Sequence, residues 1–528
     1  MASLATPETT PLLAAEPQAE RREVVDGKTK EDVSRPPGGG CTFEPGDLSN
    51  PLEWSPAFKQ GIVALLAALG FMVTFTCMSV VPVANKIAAD LDGAHSSADT
   101  FSSVLPVTIW EVGEAVGPLL IAPLSEMYGR SPVMNAANVL FITSTALAAL
   151  SPSMAVFVAS RALTGMAVAS NVLGPAIIGD IFAPEHRGTA LSLVGILPLL
   201  GGTVGPVVSG AVAQSWGWRA VLRVCVVLAA VCAAVFFAYF RETYGPVILR
   251  RVGRRTEAKL GATKKHGGGD GGGYGTVPTA TATATKDHAD HEGGAVGDTQ
   301  SVGMLASIAR PASVLFGSSV IACLALFGSS VFAHFYILAT TLPGILQERY
   351  GLSPAATGSA FLSNGVGSAI AILLCKVWLD KIYVKLRSAN DGVGLPEHRL
   401  PMAVAGAFLL PVALLMYGWC AQLTLPLPFL LATVVLIRIC IVTVHVPLMV
   451  YVVDACGIYS ASAFTGVTVV RCLAGAFLPL GTAQLIQDVG YGWGFTVLSV
   501  LSLVFAIVPL LLLRYGSRWR QSSRYTQG

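Results

Sequence analysis

Charge is what this 528-residue sequence has least of: Asp, Glu, Lys and Arg together make up 12% of it, against ~25% in an ordinary soluble domain. With 53% hydrophobic residues, a water-soluble globule of this size could not hide its apolar surface, which excludes an ordinary soluble enzyme. Catalytic motifs are missing too. No Gly-x-x-x-x-Gly-Lys-Ser/Thr loop occurs, which argues against an ATP-driven pump with its own motor. Nor is there a Gly-x-Ser-x-Gly elbow, a His-Glu-x-x-His helix, a Cys-x-x-Cys pair or a sequence resembling a carbonyl-lined selectivity filter. The ten cysteines, Cys41, Cys77, Cys225, Cys232, Cys323, Cys375, Cys420, Cys440, Cys456 and Cys472, fall mostly inside apolar runs. There they are expected to pack as small apolar residues, with no metal site and no disulfide frame. The first 58 residues are polar and Pro-rich without a basic-then-apolar signal segment, so the first membrane helix is expected to do the targeting.

What is present is a series of nearly uncharged runs of about the ~20 residues that cross a bilayer. Two stretches, Met1–Lys59 and Arg241–Arg310, hold 16 of the 34 basic and 17 of the 31 acidic residues. The rest predicts twelve spans: roughly 60–83, 103–124, 133–151, 154–175, 189–213 and 218–240, then 313–341, 355–378, 401–421, 427–451, 459–485 and 493–514. The expected organisation is a cytosolic tail (1–58), a six-helix bundle (59–240), a central loop (241–311), a second bundle (312–514) and a short tail (515–528). Alternate loops collect the cations: Arg130, Arg187, the 241–310 stretch, Lys381, Lys385, Arg387, Arg399, and Arg514, Arg518, Arg520 and Arg524. Cations stay on the cytoplasmic side, so both termini and the central loop are expected there. That loop opens basic (Arg250 to Lys265) and becomes Gly/Thr/Ala-rich, a composition unable to order itself. Its basic part reads as a solvated flank or a contact for anionic lipid, and Asp287, His288, Asp290, His291 and Glu292 read as solvated rather than metal-binding.

A charge in hydrocarbon costs at least ~2.5 kcal/mol, so each one within a span is a candidate functional residue. Glu111 and Glu114, three apart in the second span, share a helical face. Two carboxyls that close in low dielectric should not both ionise readily, which suits one of them to load and release a proton. The fourth span carries Arg161, with Gly165 one turn on; the two glutamates are its expected partners. Gly201, Gly205, Pro206 and Gly210 thin the fifth span and permit close packing. The second half adds Arg438, His445, Asp454 and Arg471, of which the two arginines are expected to face a cavity or pair inward. His334 and His445 are open between packing and cavity lining, as are the aromatics Trp110, Phe335, Tyr336, Phe361 and Trp378.

These residues resemble the major facilitator superfamily, and within it the fungal drug:proton antiporters with twelve spans. The segment from Gly117 through Glu126, Gly129 and Arg130 to Pro132 is similar to the family's loop motif between spans two and three. There the resemblance assigns Glu126 and the Gly-Arg pair to a latch of the cytoplasmic helix ends in the outward-facing state, with Ser131 where a second basic residue is common. Arg161 with Gly165 resembles a motif associated with proton transfer. Gly201, Gly205, Pro206 and Gly210 resemble the antiporter motif, with Ser209 in place of a usual Gly. Asp380-Lys381 is a faint echo of the first-half loop motif, and Asn50–Ser55, Arg241–Pro246 and Tyr451–Ala455 continue the match.

The resemblance implies an all-α integral membrane protein of twelve transmembrane helices in two pseudo-symmetric six-helix bundles. It implies a proton-coupled exporter of small amphipathic organic compounds, with no cofactor and no nucleic-acid partner, working as a monomer on the proton gradient. A proton-coupled uptake symporter, or an organic-acid or polyamine carrier, is the alternative of the same fold; a non-transporting receptor and a membrane-embedded enzyme are the others. The plasma membrane is the expected location. Glu8-Thr-Thr-Pro-Leu12-Leu13 matches an acidic dileucine signal that would divert the chain to vacuole or endosome.

Overall fold

The computed structural model describes residues 50–92, 100–251, 309–390, 394–457, 460–523 and 525–526. The dileucine segment, the acidic and histidine-containing cluster at 287–292 and most of the basic stretch lie outside these residues.

Helix is the form the sequence demands, since only a helix satisfies its own backbone within hydrocarbon without closing a barrel. The crossing helices are α1 (Pro56–Leu91), α2 (Phe101–Tyr128), α3 (Arg130–Ala149), α4 (Met154–Ile181), α5 (His186–Trp216) and α6 (Trp218–Tyr239). The second half supplies α7 (Ser319–Arg349), α8 (Pro354–Ala389), α9 (Pro401–Gln422) and α10 (Leu427–Cys456). A last apolar stretch, Ser462–Gln521, has 60 residues. At 1.5 Å per residue that would be ~90 Å of helix, far more than a ~30 Å core needs. Gly490 breaks it with φ 80° and ψ 170°, leaving α11 (462–489) and α12 (491–521) and completing twelve.

Gly490 has a counterpart. Gly217, which joins α5 to α6, has φ 79° and ψ 170°. Both angles are open to glycine and strained for other residues, and each sits between the fifth and sixth helix of its half. The same turn in the same place is the structural trace of an internal repeat that the sequence barely shows.

The packing is inside out. Phe237, Val227 and Val231 on α6 and Val500 and Val504 on α12 lie exposed, as lipid-facing side chains should. Arg161, Glu111 and Glu114 are buried. In the first half α1 and α5 approach closely. Added Cβ atoms at Gly201 and Gly205 would meet Phe71 O at 2.5 Å and Phe75 O at 2.8 Å, and the Thr74 hydroxyl donates to Pro198 O at 2.7 Å. Ser209, the departure from the antiporter motif, is buried and donates to Pro206 O at 3.1 Å.

Several helices are interrupted. α1 leaves the α-helix between Met78 and Ala84. α4 unwinds between Met166 and Ser170, and α8 breaks at Phe361. Contacts between the halves seal the end of the molecule opposite the start of α1 and the finish of α12. There Gln347 Nε2 donates to Pro82 O at 3.0 Å and Ala355 N to Gln214 Oε1 at 3.3 Å. Gly210 of α5 lies directly on Gly358 and Pro354 O of α8. At the other end ion pairs run within each half: Arg130–Asp180 in the first, and Arg399–Asp380, Arg399–Asp454 and Arg520–Glu397 in the second.

Candidate functional site

Between the halves lies a cavity of about 330 Å³, lined from α1, α2, α4, α5, α7, α8, α10 and α11. Most of its surface is apolar (Val73, Met78, Leu199, Phe332, Phe335 and Ile441 among others), although close to half of its lining residues carry a polar or charged group, a make-up suited to an amphipathic small molecule.

Glu111 and Glu114 both line it, as their shared helical face predicts, but their surroundings differ. Glu111 Oε1 accepts the Tyr336 hydroxyl of α7 at 2.6 Å, a bond from one half to the other. Among the described residues its Oε2 is buried without a hydrogen-bond partner at ideal geometry. Cys77 of α1 sits 3.6 Å from the same Tyr336 oxygen. Glu114 has donors on every side: Trp110 Nε1 at 3.1 Å, Asn171 Nδ2 at 2.9 Å and, across the cavity, Arg471 Nη2 at 3.8 Å. Asn171 reaches it because α4 has restarted only one residue earlier, after its unwound stretch.

The expected pairing of Arg161 with the glutamates is not what forms. Arg161 donates to Pro106 O (3.3 Å), Thr76 O (3.5 Å) and Cys77 O (3.2 Å), and stacks 4.6 Å from the Trp110 ring. The physical reason lies in α1. Its first helical segment ends at Met78, and the last carbonyls of a helix lack intrahelical partners. A guanidinium, with five donors in a planar fork, satisfies several of them at once. Gly165 and Gly113 make this possible by letting α2 and α4 touch backbone to backbone, at Trp110 O and Ala162 O; Gly117 does the same against Met166 O at 2.5 Å.

In the second half Arg438, Arg471 and His445 all line the cavity. Arg438 Nε donates to Ser368 Oγ at 2.8 Å, and its guanidinium stacks 4.6 Å from Phe335. Arg471 stacks 4.4 Å from Phe332, and its Nε is buried without a partner. His445 lies 6.1 Å from the Phe332 ring. His334 is instead a buried residue tied to Ser330 O through Nδ1 at 2.7 Å. Trp378 points outward and Phe361 is buried at the α8 break.

The remaining motif residues sit away from the cavity. In this state, sealed at the opposite end, the residues of the loop motif are held by Asp180 and Glu242. Arg130 pairs with Asp180 at the end of α4 (3.3 Å), while Glu242 after α6 accepts the backbone N–H groups of Arg130 (2.8 Å) and Ser131 (3.2 Å). Glu126 is exposed, because the last turn of α2 aims it away from α4. Gly129, with φ 102°, makes the sharp entry into α3, and a side chain there would collide with Glu242. Asp380 binds Arg399 at 2.9 Å, and Asp454 shares that arginine at 3.3 Å. Arg399 before α9 with Asp454 at the end of α10 thus repeats Arg130 with Asp180. Sequence reasoning did not single out Asp180, Asn171, Ser368 or Glu242 as site residues. Asp180 carried a usable signal, being an acid closing an apolar run; the uncharged Asn171 and Ser368 did not.

Two six-helix halves around a polar-spotted midplane cavity define a membrane carrier of the secondary-transporter kind. The family model described as the Major Facilitator Superfamily matches residues 61–479, and the chain belongs to that family: it is a transporter, not an enzyme. Among its relatives is the efflux pump radE of Floropilus chiversii, 32% identical over 485 residues, 91% of this chain and 84% of the relative. The MFS transporter cpaT of Aspergillus oryzae is 32% identical over 482 residues, 91% of each chain. Similar solved folds include the xylose transporter XylE from E. coli, with TM-score 0.60, 14% identity, and coverage of 87% of this chain and 99% of that one. The human organic anion transporter MFSD10 has TM-score 0.56 and 19% identity, covering 86% of this chain and all of that one (100%).

Proposed function

We propose that this protein exports small amphipathic organic compounds from the cytosol in exchange for protons, by alternating access of the central cavity. Positive residues at the ends where α1 starts and α12 finishes support a cytosolic orientation for that face, so the sealed end is the outer one. The fungal relatives named as efflux pumps and transporters support export, and the plasma membrane is the proposed location.

One observation carries the proton coupling. Glu111 lies in the cavity, buried, with the Tyr336 hydroxyl bonded to one oxygen; among the described residues its other oxygen meets no hydrogen-bond partner at ideal geometry, and the weak Cys472 thiol neighbours the carboxyl. Glu114, by contrast, faces Arg471 and two neutral donors. Glu111 is therefore the carboxyl we assign to proton loading, and Glu114 the fixed anion. When ionised, Glu111 accepts a charge-assisted bond from Tyr336, which is stronger than the same bond to a neutral acid. That bond ties α2 to α7 and holds the outer side shut. A proton, or a substrate that takes Tyr336 away, loosens it.

Efflux of labelled amphipathic compounds from cells, with and without a protonophore, tests the reading. Protonophore-sensitive export is expected, lost in Glu111→Gln at matched expression and weakened in Glu114→Gln. Export that survives both the protonophore and Glu111→Gln would make the protein a facilitator; accumulation would make it an uptake symporter.

A further inference from the structure

The charges of the cavity are sorted by wall. Both carboxyls, Glu111 and Glu114, stand on α2 of the first half, whereas Arg438 and Arg471 stand on α10 and α11 of the second. Arg161 adds a third guanidinium behind Trp110, whose ring it stacks on and which itself lines the cavity. Three cations meet two acids, so the site holds an excess of positive charge even with both carboxyls ionised. A cationic compound entering it would be repelled at short range in a medium that screens poorly.

The second-half wall has unused capacity for an anion. Among the described residues Arg438 makes no ion pair within 4.0 Å; its Nε is taken by Ser368 Oγ at 2.8 Å, which leaves its two terminal nitrogens as the edge able to bind. Arg471 reaches Glu114 only at 3.8 Å and has a buried Nε without a partner. Each guanidinium carbon sits over a phenylalanine ring of α7, Phe335 for Arg438 and Phe332 for Arg471, 4.6 and 4.4 Å from the centroid. Those rings, three residues apart on one helix face, hold the two forks in place, so little side-chain freedom is lost when a ligand binds. The same rings offer apolar surface to whatever carries the acid.

We propose that the second-half wall is an acid-recognition site: Arg438, with Arg471 beside it, binds the carboxylate or similarly acidic group of an amphipathic substrate whose apolar body lies on Phe332 and Phe335. The substrate class is thus an organic acid with an aromatic or aliphatic body small enough for about 330 Å³. This rests on the proposed transport function and deepens it. Acid recognition belongs to the second-half wall and proton loading to the first, so binding of the acid is measurable without reference to flux or coupling.

Three probes that share one ring system test it: 1-naphthylacetate, its methyl ester and 2-(1-naphthyl)ethylamine, with charges of minus one, zero and plus one. Binding of each to the full chain in nanodiscs is measured by calorimetry at neutral pH. The expected order is acid, then ester, then amine. A hydrogen-bonded charge contact contributes ~1.5–3 kcal/mol, so the acid should lead the ester by about 10- to 150-fold. Arg438→Gln should erase that lead. Arg438→Lys, which keeps the charge but not the fork, should retain part of it, and Ser368→Ala should weaken it by freeing the guanidinium to turn. A monodisperse size-exclusion peak shows that each variant is folded. Equal affinity for the three probes, no binding of the acid, or an acid preference that survives Arg438→Gln in a folded protein overturns the assignment. Tight, Arg438-dependent binding of the acid without its export from cells would leave the recognition site standing and remove the transport reading.

Discussion

The seal between α5 and α8 is set by two glycines, and filling either should move the carrier between its states. A Cβ built on Gly210 would run into Pro354 O and lie 3.2 Å from Gly358 Cα; one on Gly358 would run into Pro206 O and lie 3.2 Å from Gly210 Cα. The obstructing atoms are backbone, so no side chain can swing aside and the helices themselves must part. Overpacking of this kind costs ~1–3 kcal/mol. In the proposed alternating-access cycle the opposing state separates these helices at the same end, so that cost would fall on the sealed state alone. Gly210→Ala should then shift the equilibrium ~5- to 150-fold toward the state open at the outer end. Ala355 N and Gln214 Oε1 are 3.3 Å apart across this seal, so a short bifunctional thiol reagent joining Gln214→Cys to Ala355→Cys reports closure, with each single substitution as the control for reaction at the native cysteines. Cross-linking should fall sharply in the Gly210→Ala background. Gly174→Ala is the matched control, since nothing lies within 4 Å of its added Cβ. An unchanged yield in Gly210→Ala, or an equal fall in Gly174→Ala, would refute the reasoning.

Two further outcomes follow from the geometry. Arg161→Lys removes the planar fork that joins the carbonyls of residues 76, 77 and 106 and stacks on Trp110; it should lower stability by about 2–3 kcal/mol, read as a lower melting temperature in detergent. Unchanged melting with lost transport would instead place Arg161 in the proton path. Glu242→Ala leaves the N–H groups of Arg130, Ser131, Thr243 and Tyr244 without their carboxylate acceptor. By analogy with lost N-caps it should destabilise by about 1–2 kcal/mol, with Glu242→Gln in between; a melting curve indistinguishable from the parent protein would show that water replaces the carboxylate without loss.

The sequence by itself determined the twelve crossings, because a span is a local property: a run of apolar residues long enough for the bilayer must become helix wherever it lies. It also placed Glu111, Glu114, Arg161, Arg438, His445 and Arg471 inside those spans, since a charge within an apolar run is visible without any neighbour. Helical spacing even predicted that Glu111 and Glu114 share a face. Helix limits were less legible. The seventh span starts at Ser319 rather than near 313 and the eighth runs on to Ala389, because apolarity marks the bilayer and not where hydrogen bonding stops.

Partnership was decided only by the tertiary structure. Glu111 meets Tyr336 from 225 residues away, and nothing in the period of either helix says which face it will oppose. Arg161 was expected to meet the glutamates; the carbonyls at the end of the first segment of α1 took it instead, and Arg471 came to face Glu114. In the loop between α2 and α3 only three residues separate Glu126 from Arg130, yet the turn at Gly129 aims the arginine at Asp180 on the end of α4 and leaves Glu126 exposed. A helix fixes the direction of its own side chains. Only the packing of helices far apart in sequence decides what those side chains find.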